Sequence, residues 1–297
     1  MGLFSNYEKL GPGVSKNPDA KAPLFKFLEL YGSHFSKLII LNFILILSLV
    51  PFCLVLLVEY LNLSDKAFGV VFYILFALLA SLLGPALCGF MKILRNIATE
   101  RPVFIWHDYW KAFKDNFKQG IIMGLIDAVF VIAVSFAFPM YFKMAEQNSV
   151  FYIPFAVCLV VSLLFLMMHF YIYLLIASTT LDLWKIIKNS FFLTAIDVKV
   201  SFINLCVTVI SVLAIAMFWP YTSFVFIILP SFLGLVYAFN CFPVIRKYVI
   251  QPYYDALGEE NPEFAYKDTE GEAVFVDTPE TEVPAQQPKR QRKRQIK

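Results

Sequence analysis

Histidine and formal charge are scarce in this chain, and that scarcity limits its chemistry. Only three histidines, His34, His107 and His169, occur in 297 residues, and Asp, Glu, Lys and Arg together make up 16%. No cluster of His and carboxylates has metal-ligand spacing, no GxSxG elbow is present, and no glycine-rich loop is placed to cradle a phosphate. The sequence points away from an enzyme, and neither a cofactor nor a metal site is expected. Trp106, His107 and Asp108 are neighbours in sequence, so on a helix they diverge and make no ligand set. Five cysteines, Cys53, Cys88, Cys158, Cys206 and Cys241, are spread through apolar stretches without the paired spacing of a zinc or redox motif. They read as small packing residues. The period-2 alternation of barrel strands is missing as well. The first apolar run begins only at Leu38 and is longer than the core of a signal peptide, so no cleavable leader is expected.

Apolar residues, by contrast, are abundant. They make up 59% of the chain and give a mean hydropathy of +0.69, against about 45 to 50% apolar in ordinary soluble domains. Six apolar segments lie near residues 38–58, 67–91, 121–142, 150–177, 200–219 and 221–242. A helix needs about 20 residues to cross the hydrocarbon of a bilayer, and it satisfies its own backbone polar groups there. Of the 25 Lys and Arg residues, 23 fall in the first, third, fifth and seventh pieces outside these segments. Positive charge is retained on the cytoplasmic side during insertion. The alternation therefore predicts six crossings of the cell membrane with both termini in the cytoplasm. The expected fold is all-α: a leader with an interfacial helix over 1–37, a six-helix transmembrane domain over 38–250, and a mostly disordered charged tail over 251–297.

Within the leader, Leu24, Phe25, Phe27, Leu28, Leu30, Tyr31 and Phe35 lie beside Lys26, His34 and Lys37, which suits an interfacial helix acting as an elbow before the first crossing. The tail carries ten acidic residues between positions 253 and 282, then the basic run Lys289, Arg290, Arg292, Lys293 and Arg294. Blocks of like charge with few apolar residues read as disordered. The basic run reads first as a topology and solubility tail and next as a contact for lipid headgroups; nucleic acid is not an expected partner because no aromatic residue lies within the run to stack on bases. A less polar stretch at 273–276 suits an extended docking peptide.

Asp108, Trp110, Lys111, Lys114 and Phe117 recur as Asp182, Trp184, Lys185, Lys188 and Phe191, each pair 74 positions apart. Each set reads as an amphipathic helix, with Trp110, Phe113 and Phe117, or Trp184, Ile187 and Phe191, on one stripe. Trp favours the membrane boundary and Lys the anionic inner leaflet, so both helices are expected to lie on the cytoplasmic face, either as duplicated elbows that feed the next crossing or as docking surfaces for lipid or a partner. Inside the spans, two ionisable residues stand out, Asp127 and His169. They lie at similar depth in consecutive antiparallel segments, an arrangement suited to a proton relay or cation site; the alternative is that Asp127 bonds to a hydroxyl or Asn across a helix interface while His169 faces a neighbouring aromatic. Asn42, Asn204 and Asn240 read as interhelical glue, and Ala80, Ser81, Gly84, Pro85 and Gly89 as a close-packing stripe with a bend at Pro85.

Four stretches together, MGLFSN at 1–6, LIILNFILILSLVP at 38–51, GPALCGFMKILRN at 84–96 and FIWHDYWKAFKDNFKQ at 104–119, resemble the YesL-like proteins, a bacterial membrane family of undefined function. The resemblance extends over most of residues 1–250, and VFVDTP at 274–279 fits it too. Family members often lie beside genes for carbohydrate uptake and breakdown, so the resemblance implies an accessory part in sugar transport with transporter components as partners. It supplies no catalytic residue. The expectation is a non-enzymatic accessory or scaffold protein in the lipid bilayer. The alternative is a small secondary transporter or channel with Asp127 and His169 on a proton or ion path.

Overall fold

The computed structural model describes residues 22–60, 69–218, 221, 225, 227–259 and 261. By its internal contacts the chain forms two units, Asp19–Leu257 and, separately, Met1–Pro18 with Gly258–Lys297. Most of the latter unit, including the basic run and the docking peptide expected at 273–276, lies outside the described residues.

Every regular element among the described residues is helical. They are α1 (Pro23–Ser33), α2 (Phe35–Tyr60), α3 (Gly69–Ala98), α4 (Ile105–Asp115), α5 (Phe117–Gln147), α6 (Tyr152–Ser178), α7 (Leu183–Ile196), α8 (Val198–Met217), α9 (Leu229–Ile245) and α10 (Gln251–Leu257). A five-residue π turn, Arg246–Ile250, joins α9 to α10. Five helical stretches are long and apolar enough to cross a membrane, and α1 with the first part of α2 makes a sixth when counted as one bent span. The protein is thus an all-α, multi-pass membrane protein.

The bend between α1 and α2 is 72°. At that break the Ser33 hydroxyl donates to the Leu30 carbonyl at 3.1 Å and lies 2.9 Å from His34 Nδ1, local bonds that compete with the helical ladder. The leader helix is not merely interfacial. Phe27 is buried with its ring edge-on to Phe232 and Phe239, both at 5.8 Å, so α1 packs on α9. Leu24, Phe25 and Leu28 remain exposed on its other face. Lys26 also reaches Glu100, beyond the end of α3, at 2.6 Å.

α3 and α5 lie antiparallel with their backbones almost touching. A Cβ placed on Gly84 would sit 1.9 Å from the Gly120 carbonyl oxygen, and one on Gly124 would sit 2.7 Å from the Ser81 carbonyl oxygen. Only glycine permits this approach, which membrane helices use because packing rather than water drives their association. The sequence exposed the α3 side of this seam; its partners Gly120 and Gly124, four apart on α5, were not anticipated. α3 continues as one helix through Pro85.

Buried side chains concentrate in the second half of α3, the last third of α6 and α9. The first half of α6 and most of α5 and α8 turn Val, Leu, Ile and Phe outward, as a bundle facing lipid should. We call the densely packed end, where α3 and α6 finish and α5 and α8 begin, the basic end. The last span differs from its sequence expectation. The sequence expectation ends at 242, but the described helical stretch that begins at Leu229, with Pro230 in its first turn, continues to Leu257 over 29 residues. Proline suits a first turn because its missing N–H has no helical acceptor there.

Asparagines stitch α9 to its neighbours. Asn42 of α2 donates to the Ser231 hydroxyl at 2.7 Å. Asn240 donates to the Asn204 side-chain oxygen of α8 at 2.7 Å, and Asn204 donates to Cys241 Sγ at 3.0 Å. These residues act as the interhelical glue the sequence suggested.

Candidate functional site

The repeated motif forms two helices, α4 and α7. Each follows a long helix and precedes another, so α3–α4–α5 and α6–α7–α8 are two copies of one plan. Burial follows the 74-residue offset. Ala112 and Ile186 are buried, Phe113 and Ile187 half-buried, and Trp110, Lys111, Lys114 and Phe117 are exposed like Trp184, Lys185, Lys188 and Phe191. The tryptophans are 45% and 75% exposed, so the Trp and Lys stripes look outward while the opposite faces pack on the bundle. The copies differ at their ends. α4 breaks at Asn116, which places Phe117 at the start of α5 instead of on the α4 stripe, whereas Phe191 stays within α7. Asp108 accepts a hydrogen bond from the Phe104 N–H at 3.0 Å, while Asp182 occupies the N-cap of α7 without a side-chain cap bond.

Beside α4 lies a polar cleft of about 330 Å³, closed on its other side by the end of α6 and the connector to α7. Lys92, Asp108, Lys111, Asp115, Thr179 and Thr180 line it. Lys92 Nζ donates to the Ala177 carbonyl at 3.2 Å, and Gln119 Nε2 donates to the Leu181 carbonyl at 3.0 Å. These bonds hold the end of α6 against α3 and the connector against α5. Deeper at this end, the Arg95 guanidinium lies 5.2 Å from the centre of the buried Phe242 ring, a cation–π contact that the sequence reading missed.

The intramembrane pair meets. Asp127 lies ten residues into α5 and His169 nine before the end of α6, about 15 Å along each helix from the basic end. His169 Nε2 is 2.8 Å from Asp127 Oδ1, and the side chains are 21% and 23% exposed. The Tyr173 hydroxyl donates to the other carboxylate oxygen at 2.5 Å, and His169 Nδ1 lies 2.8 Å from the Phe165 carbonyl oxygen. Phe165 stacks on Phe130 at 3.8 Å. Tyr173 went unnoticed in the sequence, although its place four residues after His169 puts both on one face of α6. Asp127 and His169 line neither the polar cleft nor the apolar pocket of about 310 Å³ beside Tyr31 and Phe232. Among the described residues, no three His, Cys, Asp or Glu side chains converge as a metal site.

Fold and site together define a multi-pass helical membrane protein with a duplicated pair of amphipathic helices at one end. Residues 67–138 match the model of a family described as a protein of unknown function, DUF624, a match that spans α3, α4 and most of α5; the description includes no YesL-like name. No curated protein and no solved structure matches the chain. The match falls on the first copy of the repeated plan.

Proposed function

We propose that this protein is a non-enzymatic accessory protein of the cell membrane that holds a cytoplasmic polypeptide at its basic end through α4 and α7. The observation that carries this reading is the shared outward register of the two helices, Trp110 and Lys111 on one and Trp184 and Lys185 on the other. Aromatic anchors beside flexible cations favour recognition of a partner. Asp108, Lys111 and Asp115 add both signs of charge to the adjoining cleft, which suits a polypeptide of mixed charge better than a uniformly anionic surface. The charge alternation of the sequence supports an orientation with both termini in the cytoplasm. The resemblance to a family encoded near carbohydrate-uptake genes supports a component of a sugar-uptake transporter as the partner.

A photo-crosslinking residue placed at position 111 or 185 in native membranes tests this. Reproducible protein adducts from both positions, containing an uptake ATPase or permease, are the expected result. Recovery of lipid adducts alone would overturn the reading. A second reading, a small transporter or channel with Asp127 and His169 on its path, is favoured by their direct contact. Proton-coupled uptake in vesicles abolished by Asp127→Asn would support it over the first.

A further inference from the structure

The contacts of His169 define where its protons are. Nδ1 faces the Phe165 carbonyl oxygen at 2.8 Å, and a carbonyl only accepts, so Nδ1 carries hydrogen. Nε2 then faces Asp127 Oδ1 at 2.8 Å. A neutral ring protonated on Nδ1 offers a lone pair at Nε2, and an ionised carboxylate offers lone pairs as well; two acceptors at that distance repel. One proton must therefore lie between them, either on Nε2 as an imidazolium–carboxylate pair or on Oδ1 as a neutral acid beside a neutral ring. Tyr173 already donates to Oδ2, which keeps the shared proton on the Oδ1 side. In both forms the pair has no net charge, the condition an apolar helix interface tolerates.

Among the described residues, few other ionisable groups approach. On α3 the Cys88 thiol lies near Tyr173. Asp197, at the N-cap of α8, and Cys241 of α9 act on Tyr171, which is two residues from Tyr173 and so on the opposite side of α6. The charged residues of α7, Lys185 and Lys188, are exposed at the basic end.

We propose that Asp127, His169 and Tyr173 form a proton-binding site that clamps α5 to α6 while it holds one exchangeable proton and releases them when that proton is lost. On release the proton passes to water, leaving a carboxylate and a neutral ring protonated on Nδ1, which repel. The clamped state binds one proton more than the open state, so its stability falls as pH rises through the titration of the site. The site rests on neither functional reading above.

Nitrogen-15 spectra of histidine-labelled protein in lipid nanodiscs test it over about pH 5 to 9, either side of the ordinary histidine range, with the His169 signal assigned by its loss in His169→Gln. In the wild type, Nδ1 is expected to stay protonated, Nε2 to change in one step, and the thermal midpoint to fall through that step. In Asp127→Asn the amide N–H donates to Nε2 and the amide oxygen accepts from Tyr173, so the contact survives without an exchangeable proton; step and midpoint change should both vanish. Tyr173→Phe removes a donor to the carboxylate, which strengthens its hold on the proton and should move the step to higher pH. An unprotonated Nδ1 in the wild type, an unchanged pH profile in Asp127→Asn, or a step moved to lower pH or left in place by Tyr173→Phe would each overturn the proposal.

Discussion

Adding one methyl group to Gly84 should part the α3–α5 seam. An alanine Cβ there would lie 1.9 Å from the Gly120 carbonyl oxygen and 2.6 Å from its carbonyl carbon. Ordinary carbon–oxygen contact begins near 3.3 Å, so the helices must separate by roughly 1.4 Å along that line. Both obstructing atoms belong to backbone, and no rotamer change relieves them. Overpacking of this kind costs about 1 to 3 kcal/mol. The separation also loosens the contact at Gly124, forfeiting dispersion contacts, while better helix propensity returns about 1 kcal/mol. The net loss should be about 2 kcal/mol, roughly a 30-fold change in the folded-to-unfolded ratio. Equilibrium unfolding in mixed micelles of mild detergent and dodecyl sulfate, followed by circular dichroism, measures it. Gly32→Ala is the control, because a Cβ there meets nothing within 4 Å, and it should leave stability equal or raised by about 0.5 to 1 kcal/mol. If Gly84→Ala unfolds at the wild-type detergent fraction, the close-contact reasoning is wrong.

Asn204→Leu removes the acceptor of Asn240 and the donor to Cys241, and should destabilise the same unfolding equilibrium by about 0.6 to 2 kcal/mol. Asp108→Ala should cost about 0.5 to 1 kcal/mol through its lost bond to the Phe104 N–H, more than Asp182→Ala, which removes no cap bond; paired thermal melts compare the two. Charge reversal at Lys26 should shift those melts little, since its partner Glu100 is half-exposed and exposed pairs contribute about 0 to 1 kcal/mol.

α4 and α7 were legible in sequence because a repeat and a helical period are both local patterns, and burial follows the 74-residue offset almost position by position from Trp110 to Phe117. The contact of Asp127 with His169 could be framed from equal depth but not established, because helix rotation about its own axis is set by every neighbour at once. Tyr173 and Arg95 escaped for a similar reason: in sequence they resemble an aromatic and a cation at a membrane boundary, and only packing shows that one serves a carboxylate and the other a buried ring.

Hydropathy, which depends on composition along one segment at a time, was enough to determine an all-helical chain crossing the membrane several times. Charge alternation likewise marked which loops share an end. The tertiary structure decided what required two segments to meet: the glycine seam between α3 and α5, the packing of α1 on α9, and the contact of Asp127 with both His169 and Tyr173. Segment hydropathy sums over residues, whereas contact distances depend on rotation, register and tilt, which no segment fixes alone.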